Sequence, residues 1–418
     1  MYFSRKFFRM QFLYNLTTYL ATFLLPIIGY FSPKIKQFVE GRKTVFDTLE
    51  KEITTDDQCI WFHAASLGEF EQGLPVMEEI RTLFPSHKIV LTFFSPSGYE
   101  VRKNTVAADV VIYLPIDTPK NAQKFIKIVR PELVFFIKYE YWPNYLNALK
   151  KRKIPTFLIS GIFRKNQLFF KWYGGFYRKA LAAFNHFFVQ NSTSKELLWT
   201  LNKTNVTVSG DTRFDRVASI LEKDNTLDFI QKFKNDTLTI VIGSSWPKDE
   251  ELLVNFINST NHHVKFIIAP HNIKSEQIAQ LQQSIHKNTV LYSAKENKNL
   301  ADAEVFIIDT IGILTKIYSY ADIAYVGGGL GTAGLHNILE PATFGIPIVI
   351  GPNYSTFAEA IALVNLEGCI SISTQKELDE ALENLIRNED IRAEKGHICS
   401  TFVQMNQGAT EIILTNIL

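Results

Sequence analysis

The sequence predicts an α/β protein with two doubly wound domains, because short apolar strands alternate with helical segments along most of its 418 residues. Apolar runs without polar alternation are typical of strands buried on both faces of a parallel sheet. The pattern occurs twice, on either side of a polar stretch at 211–235. We therefore predict a domain at 41–220 and a second at 221–418, facing one cleft, with a separate segment at 1–40.

Each predicted domain contains seven strands. In the first they are expected at 60–63, 89–94, 110–114, 133–137, 156–159, 187–190 and 206–209. In the second they are expected at 239–242, 265–269, 290–292, 305–308, 323–326, 346–350 and 369–372.

The composition excludes some classes of protein. Three widely separated cysteines without CxxC or Cys/His spacing argue against a zinc site or a disulfide framework. The net charge is only +2, yet residues 141–195 contain no acidic residue and combine ten lysines and arginines with aromatic side chains. Such a segment suits an anionic lipid surface or a nucleic acid, and it is also compatible with a solvated basic face over core aromatics. We rank lipid above nucleic acid because no nucleic-acid motif accompanies the segment.

The N-terminal segment is apolar. Residues 11–32 contain no charged residue, and basic residues flank them on both sides. The length is just enough to span a bilayer, but several polar residues and Pro26 dilute it. We expect a membrane-associated helix at 1–40 that lies in the interface rather than spanning the bilayer, the alternative being a helix packed on the globular body.

The segment from His63 to Glu69 (HAASLGE) joins the first predicted strand to a helix. It therefore lies beyond the carboxyl end of a strand, where open α/β sheets bind ligands. Ser66 and Glu69 also have the spacing of a capping box, in which both side chains satisfy amides at a helix start. The two interpretations are compatible if Ser66 caps the helix while Glu69 points into the cleft.

A glycine-rich segment follows the strand predicted at 323–326. Gly328 and Gly329 belong to a three-glycine run, which lets backbone amides approach an anion. A helix start with Pro341 in its first turn then places polar side chains beside these glycines. The alternative is a capped helix after a glycine turn. The predicted binding residues of this segment are His336, Asn337, Ile338, Leu339 and Glu340.

Three other loops are expected at the same edge of the second sheet. They follow the strands predicted at 239–242, 265–269 and 305–308. No aspartate pair indicates a divalent metal. The candidate ligand-binding residues in these loops are Ser244, Ser245, Pro270, His271, Ile311, Gly312 and Ile313.

In this order, the motifs resemble those of the 3-deoxy-D-manno-octulosonic acid (Kdo) transferases of lipopolysaccharide synthesis. The family motif H-A-A-S-x-G-E is similar to residues 63–69, and G-G-H-N-x-L-E-P is similar to residues 334–341 with Leu335 for the second glycine. Further similar stretches lie at 140–144, 243–245, 309–312 and 351–357, so the resemblance covers nearly the whole chain.

The resemblance implies two Rossmann-like domains in a GT-B glycosyltransferase fold. It implies an inverting, metal-independent transfer of Kdo from CMP-Kdo to a phosphorylated lipid A precursor (lipid IVA), at the cytoplasmic face of the inner membrane. It implies no cofactor, with CMP-Kdo as the donor substrate, and no nucleic-acid partner. Glu69 would be the general base, and the residues around Pro270, Gly312 and Asn337 would hold CMP.

The chain departs from the family pattern at three places. Lys138 stands where the family usually has an acidic residue, Asn272 ends a P-R-H-P motif that lacks its arginine here, and 160–164 differ from N-A-R-L-S. The partner of the Kdo carboxylate or the CMP phosphate is therefore open among Arg164, Lys274 and Arg213.

Two other functions use the same residues differently. A nucleotide-sugar epimerase would share the nucleotide loops but would not need a membrane helix. A non-catalytic protein that binds nucleic acid or lipid would use only the basic segment, and it would leave Glu69 and the segment 336–340 unexplained.

Overall fold

The computed structural model describes residues 2–417, with side chains from residue 10 onward. The chain forms two compact units, the first from residues 1–216 and 408–418 and the second from 217–407. The sequence pattern predicts that all residues after 220 belong to the second domain. The structure instead returns residues 408–417 to the first unit, where the buried side chain of Ile413 joins an apolar cluster around β1 (Cys59–Ala64).

The first unit is built around a seven-stranded sheet in the order β3-β2-β1-β4-β5-β6-β7, and every neighbouring pair is parallel. Its strands are β1, β2 (Lys88–Phe93), β3 (Val110–Tyr113), β4 (Pro131–Ile137), β5 (Thr156–Gly161), β6 (His186–Val189) and β7 (Val206–Val208). Its helices are α1 (Tyr2–Gly29), α2 (Pro33–Lys43), α3 (Val45–Glu52), α4 (Leu67–Leu83), α5 (Pro96–Arg102), α6 (Pro119–Val129), α7 (Pro143–Lys151), α8 (Gly175–Ala180), α9 (Ser192–Trp199), α10 (Arg213–Ala218, which crosses the boundary) and the C-terminal α19 (Ala409–Thr415).

The second unit contains a second parallel sheet of seven strands, in the order β10-β11-β9-β8-β12-β13-β14. Its strands are β8 (Thr239–Ser245), β9 (Lys265–Pro270), β10 (Thr289–Leu291), β11 (Val305–Ile307), β12 (Ile323–Val326), β13 (Ile348–Ile350) and β14 (Cys369–Ser371). Its helices are α11 (Asp228–Lys234), α12 (Pro247–Ser259), α13 (Ser275–Ser284), α14 (Leu314–Tyr318), α15 (Leu339–Thr343), α16 (Ala358–Asn365), α17 (Gln375–Arg387) and α18 (Glu389–Met405).

The fourteen predicted strands all occur, and both sheets are doubly wound as the sequence predicted. The central strands are buried on both faces, which explains their continuous apolar runs. In each sheet the strand order reverses at one point, between β1 and β4 in the first unit and between β8 and β12 in the second. Loops diverge there at the carboxyl ends of the strands and leave a crevice for a ligand.

The N-terminal helix α1 is attached to the first unit by polar contacts. The Tyr14 hydroxyl donates a hydrogen bond to Asp117 at 2.7 Å, and the Asn144 amide donates to Asn15 at 3.1 Å. Asp117 also accepts bonds from the backbone amides of Asn144 and Tyr145. Because Asp117 is buried, the pKa of its carboxyl rises to about 6.

Most of α1 remains uncovered within the unit. Residues Met10–Gly29 form a helix of sufficient length and hydropathy to cross a membrane, with a mean hydropathy of 1.4 and only 6% of that window buried. Length and composition alone do not distinguish a span from an interfacial helix. The large exposed apolar side chains of this region are Phe12, Leu13, Leu16, Tyr19, Leu20, Phe23, Leu24, Ile27, Ile28, Tyr30 and Phe31.

The basic segment at 141–195 divides into core and surface. Phe163, Phe169 and Phe176 are buried and pack in the core, whereas Trp172 is 82% exposed beside the half-exposed Tyr173. The core interpretation therefore accounts for some of the aromatic residues, whereas Trp172 and Tyr173 lie at the surface.

Candidate active site

The candidate site of the first unit lies at the switch point of its sheet. β1 ends at Ala64, and the turn after it leads into α4, whose first turn contains Glu69. β4, the neighbour of β1, leads into the segment that contains Glu140. Two carboxylates from different loops are thus brought to the edge where a doubly wound sheet binds ligands.

Glu69 is buried to 8% exposure, and its carboxylate accepts a hydrogen bond from the Ser66 hydroxyl. Ser66 occupies the N-cap position of α4, but its side chain makes no capping bond to the helix backbone. The predicted capping box is therefore wrong, because the Ser66 hydroxyl is directed to the carboxylate instead of to an amide. Among the residues that the structure describes, no cation forms an ion pair with Glu69, which suits a proton acceptor.

A buried histidine supports the same edge. The Nδ1 atom of His63 lies 2.8 Å from the Thr92 hydroxyl, and its Nε2 atom lies 3.2 Å from Glu140. The Trp142 indole N–H lies 2.7 Å from the Glu140 carboxylate and 2.9 Å from His63 Nε2. His63, Glu140 and Trp142 are not among the site residues predicted from the sequence. They belong to the motifs at 63–69 and 140–144, which lie at the ends of the neighbouring strands β1 and β4, and this position could have identified them.

Two cations flank an aromatic ring next to Glu140. The Lys138 ammonium lies 5.0 Å from the ring centre of Tyr139, and the Arg164 guanidinium lies 6.0 Å from it. Lys138 has a positive φ of 69°, which turns the chain sharply after β4. Arg213, another candidate anion partner, forms a 2.8 Å ion pair with Asp211 in this unit.

The second unit has a candidate site of its own, which includes the glycine loop after β12. At Gly327, a Cβ would lie 2.3 Å from the Ser244 carbonyl oxygen. Gly328 has a φ of +93°, and a Cβ there would lie 2.2 Å from the Gly334 carbonyl oxygen. The loop therefore requires glycine for both its conformation and its close backbone approach.

A buried carboxylate holds this loop in place. Asp249, in the first turn of α12, accepts hydrogen bonds from the Gly328 amide and the Tyr325 hydroxyl, each at 2.8 Å. It also accepts a bond from the Trp246 backbone amide at 2.9 Å. Asp249 is not among the residues predicted from the sequence. Its position three residues after the N-cap of a helix could have indicated that its carboxylate binds a backbone amide.

Two histidines and a tryptophan form a ring cluster beside the glycine loop. The rings of Trp246 and His271 stack with centres 4.4 Å apart, and those of His271 and His336 are 4.6 Å apart. Burial lowers the pKa of both histidines, and for His336 the nearby His271 lowers it further. The structure thus brings together two of the predicted binding residues.

Glu340 and Asn337 form a polar pair at the next turn. The Thr315 hydroxyl donates to Glu340 at 2.8 Å, and the Asn337 amide donates to its other oxygen at 3.1 Å. The predicted helix start is present, but α15 has only five residues, so it provides little of the expected helix dipole. The side chains of Ile338 and Leu339 are buried, and only their backbone can meet a ligand.

The remaining predicted residues differ in accessibility. Ile311 is 78% exposed, and Gly312 has a φ of +93° with open space beside it, so the 311–313 backbone is accessible. Ile313 is the N-cap residue of α14. Ser245, by contrast, is buried at the end of β8 and donates its hydroxyl to Glu250 at 2.9 Å. Its hydroxyl was expected to face a ligand. That expectation stays a prediction, and in the structure the hydroxyl hydrogen is directed to Glu250.

Two predicted residues border these groups. Ser244 has a positive φ of 52° at a bulge in β8, which brings its carbonyl against Gly327. Pro270 ends β9 and leads directly into His271. Among the described residues, no group of three or more His, Cys, Asp or Glu side chains has the arrangement of a metal site.

Comparison with known proteins gives the family. Residues 40–216 match the protein family described as 3-deoxy-D-manno-octulosonic-acid transferase (kdotransferase). The curated 3-deoxy-D-manno-octulosonic acid transferase of Haemophilus influenzae is 27% identical over 371 residues, which cover 85% of this chain and 86% of that protein. The one from Aquifex aeolicus is 26% identical, covering 81% of this chain and 89% of that protein.

Solved structures show the same fold at low identity. UDP-GlcNAc 2-epimerase from Neisseria meningitidis is similar with a TM-score of 0.61 and 16% identity, covering 86% of this chain and 99% of that one. MurG from Acinetobacter baumannii is similar with a TM-score of 0.54 and 14% identity, with coverage of 86% and 99%. The predicted GT-B fold class is confirmed, and the motifs, the family match and relatives that are similar over most of the chain agree: residues 40–216 carry the domain of the 3-deoxy-D-manno-octulosonic acid (Kdo) transferase family.

Proposed function

We propose that this protein transfers Kdo from CMP-Kdo to a hydroxyl group of a phosphorylated lipid A precursor. The observation that carries the proposal is the Glu69 carboxylate, held by Ser66 at the switch point of the first sheet. Family membership supplies the transferred sugar, and the carboxylate supplies a proton acceptor where an acceptor hydroxyl would bind.

In the proposed reaction, Glu69 removes the proton from the acceptor hydroxyl as that oxygen attacks the anomeric carbon of Kdo. The new carbon–oxygen bond forms as the bond to the CMP phosphate breaks on the opposite face, so the configuration inverts. The electron pair of the broken bond leaves with CMP. Positioned proton transfer of this kind contributes about 10²–10⁴-fold to a rate.

We assign donor binding to the second unit. The Gly328 amide already donates to Asp249, so we assign the phosphate contact to the Gly329 amide, whose residue has no side chain to block an anion. The Glu340 carboxylate accepts hydrogen bonds from Thr315 and Asn337, and we assign the ribose hydroxyls to the same carboxylate because its oxygens are acceptors. His271, Asn337 and the 311–313 backbone complete the proposed nucleotide site.

For the sugar carboxylate of Kdo, we propose Arg164 together with Lys138. Both cations lie against Tyr139 in the first unit, next to the segment that contains Glu140. Arg213 is a weaker candidate because Asp211 already balances its charge at 2.8 Å. Lys138 replaces the usual acidic residue of the family, so its positive charge compensates in part for the missing family arginines.

We further propose that the first unit lies on the cytoplasmic face of the inner membrane. A groove of about 1270 Å³ on this unit is strongly basic, and Tyr19 of the exposed helix α1 also lines it. Apolar side chains next to cations suit the interface of an anionic bilayer. The charged residues of the groove are Lys120, Lys124, Lys127, Arg130, Lys151, Arg152 and one acidic residue, Glu50.

One incubation tests the proposed reaction. The purified protein is mixed with CMP-Kdo, a lipid A precursor and EDTA, and the product is measured by mass spectrometry. We expect lipid mass to increase by Kdo units despite the chelator, since the proposed site uses no metal. A nucleotide-sugar epimerase would instead change the donor when it is incubated alone. No lipid product with the complete mixture would contradict the proposal.

Membrane binding is tested separately with vesicles. Reversing charges in the groove, as in Lys124→Glu with Lys127→Glu, should reduce co-sedimentation with anionic vesicles, because several basic side chains act together. Lys376→Glu in the second unit is the matched control and should bind as the wild type does. Equal sedimentation of the groove variant and the wild type would contradict the membrane assignment.

A further inference from the structure

Trp246 occupies a central position in the second unit. It follows β8 directly and is the N-cap residue of α12, so it lies at the carboxyl edge of the sheet. Its indole N–H donates a hydrogen bond to His336 Nε2 at 3.1 Å. The same indole ring stacks on His271 with an angle of 17° between the planes. One side chain therefore contacts both histidines of the proposed donor site.

The indole N–H determines which nitrogen of His336 carries the proton. An indole nitrogen is only a donor, so the His336 Nε2 atom must present a lone pair to Trp246. In a neutral imidazole the proton is then on Nδ1. Protonation of Nε2 would place two N–H groups against each other and break the bond to Trp246.

Neighbouring groups also favour a neutral His336. His336 is partly buried and the ring of the more exposed His271 lies 4.6 Å away, and both desolvation and this neighbouring histidine lower the pKa of His336. Asp249 is the carboxylate packed near this cluster, and it favours the charged form of His336. The Asp249 oxygens already accept hydrogen bonds from Tyr325, Gly328 and the Trp246 amide. Desolvation and the neighbouring His271, which disfavour a charged His336, therefore outweigh the opposite effect of Asp249.

Asp249 also fixes the position of Trp246 relative to the glycine loop. The carboxylate accepts from the backbone amides of Trp246 and Gly328 through the same oxygen. The start of α12 and the loop after β12 are thus tied to one buried atom. The direction of the indole N–H is set by the same framework that shapes the loop, and its bond to His336 is preorganised.

We propose that Trp246 is a positioning residue for the donor nucleotide: it holds His336 in the neutral Nδ1–H tautomer, so that this N–H is the proton His336 offers to a phosphate oxygen. A histidine with one defined donor binds an anion without first losing a proton or changing tautomer. The inference rests on the proposed function, because the bound anion is the phosphate of CMP-Kdo.

The first test needs no substrate. Nitrogen-15 NMR of the imidazole groups, assigned with a His336→Gln sample, identifies the protonated nitrogen. We expect His336 to carry its proton on Nδ1 at pH 7.5. In Trp246→Phe, which keeps an aromatic ring on His271 but removes the N–H, we expect a mixture of tautomers. A proton on Nε2 in the wild type, or an unchanged tautomer in Trp246→Phe, would overturn the proposal.

The second test separates binding from chemistry. Trp246→Phe should raise the KM for CMP-Kdo about tenfold and change kcat less than threefold, since the role is in donor positioning. The control is Trp199→Phe on α9, an exposed tryptophan of the first unit, whose KM should not change. A loss confined to kcat would overturn the assigned role.

A double-mutant cycle shows whether Trp246 acts through His336. If it does, Trp246→Phe should have little further effect on KM in a His336→Gln background, whereas additive effects would contradict the mechanism. Circular dichroism and thermal midpoints confirm that each variant is folded. Because the NMR result does not depend on turnover, a failed transferase assay would reject the proposed function without deciding the tautomer.

Discussion

The two units have the same architecture but use it differently. Each contains a seven-stranded parallel sheet with a candidate site at its switch point. In the first unit the edge carries the carboxylates of Glu69 and Glu140, whose partners are side chains. In the second unit the buried carboxylate, Asp249, binds backbone amides and shapes a glycine loop. We therefore expect the function of the first edge to depend on the chemistry of its side chains, and that of the second edge to depend on the shape of its backbone.

The largest effect should come from the first edge. Glu69→Gln preserves the size of the side chain and removes the proton acceptor, so we expect kcat to fall by about 10²–10⁴-fold with little change in thermal midpoint. Glu71→Gln on the same helix is the matched control. It weakens surface ion pairs with Arg102 and Arg216, which contribute little, and activity should stay within about threefold.

Steady-state kinetics with both substrates measures this contrast. Near-wild-type turnover by Glu69→Gln would show that the carboxylate only orders the turn through Ser66. The first edge would then resemble the second, and the comparison between the two units would fail.

The second edge should be sensitive to a single methyl group. Gly328→Ala places a Cβ at a φ of +93° and 2.2 Å from the Gly334 carbonyl, so the loop must move. We expect donor binding to weaken by about 10²-fold or more. Gly331→Ala in the same segment is the control, because its nearest neighbour would be 4.0 Å away. Calorimetry with CMP measures both variants, and equal affinities would contradict the shape requirement.

The next effect concerns stability in the second unit. Asp249→Asn replaces an acceptor of three hydrogen bonds with an amide that faces donors, and we expect a loss of about 2–3 kcal/mol. Glu250→Gln is the neighbouring control. Burial raises the pKa of Glu250, so removing its charge should be tolerated, and glutamine still accepts from Ser245.

Hydrogen exchange followed by mass spectrometry measures stability in each unit separately. Protection should decrease in peptides of 217–407 for Asp249→Asn and should be unchanged for Glu250→Gln. A similar loss in both variants would indicate that charge, and not backbone geometry, sets the stability of this edge.

The sequence was sufficient for the strands and for the position of Glu69, because both depend on local patterns. Apolar runs identified all fourteen strands, and the loops after them followed from the rule for parallel sheets. The hydrogen-bond partners of individual polar side chains could not be predicted, because they depend on the three-dimensional surroundings. Ser66 has the spacing of a cap, yet its hydroxyl is directed to Glu69. The sequence suggests that the Ser245 hydroxyl faces a ligand, yet this hydroxyl donates a hydrogen bond to Glu250.

Contacts between distant parts of the chain were also hidden. At the start of α19 in the first unit, the backbone amides of Gly408 and Thr410 donate hydrogen bonds to Asp215, almost two hundred residues away. Likewise, Asp249 and Gly328 belong to separate motifs, and only the neighbouring positions of β8 and β12 bring them together. Local patterns contain no information on such pairs.

The smallest effect should be a difference in pH response between the units. In the first unit, folding raises the pKa of Asp117 to about 6, so the contribution of this group to stability decreases as the pH rises from about 4 to 6. In the second unit, folding lowers the pKa of His271 and His336, so their contribution is lost as the pH falls below about 6.5. Acidification from pH 7 to 5 therefore favours the first unit through Asp117 and disfavours the second through the histidines.

Hydrogen exchange at both pH values, corrected for the intrinsic exchange rate, measures each contribution as the difference between wild type and variant. We expect Asp117→Asn to remove a stabilisation on acidification of order 1 kcal/mol from the first unit. His271→Phe, which retains a ring against Trp246, should reduce the loss in the second unit. If both variants changed the pH response in the same direction, the opposite pKa shifts would not be the cause, and the two edges would differ only in shape and not in electrostatics.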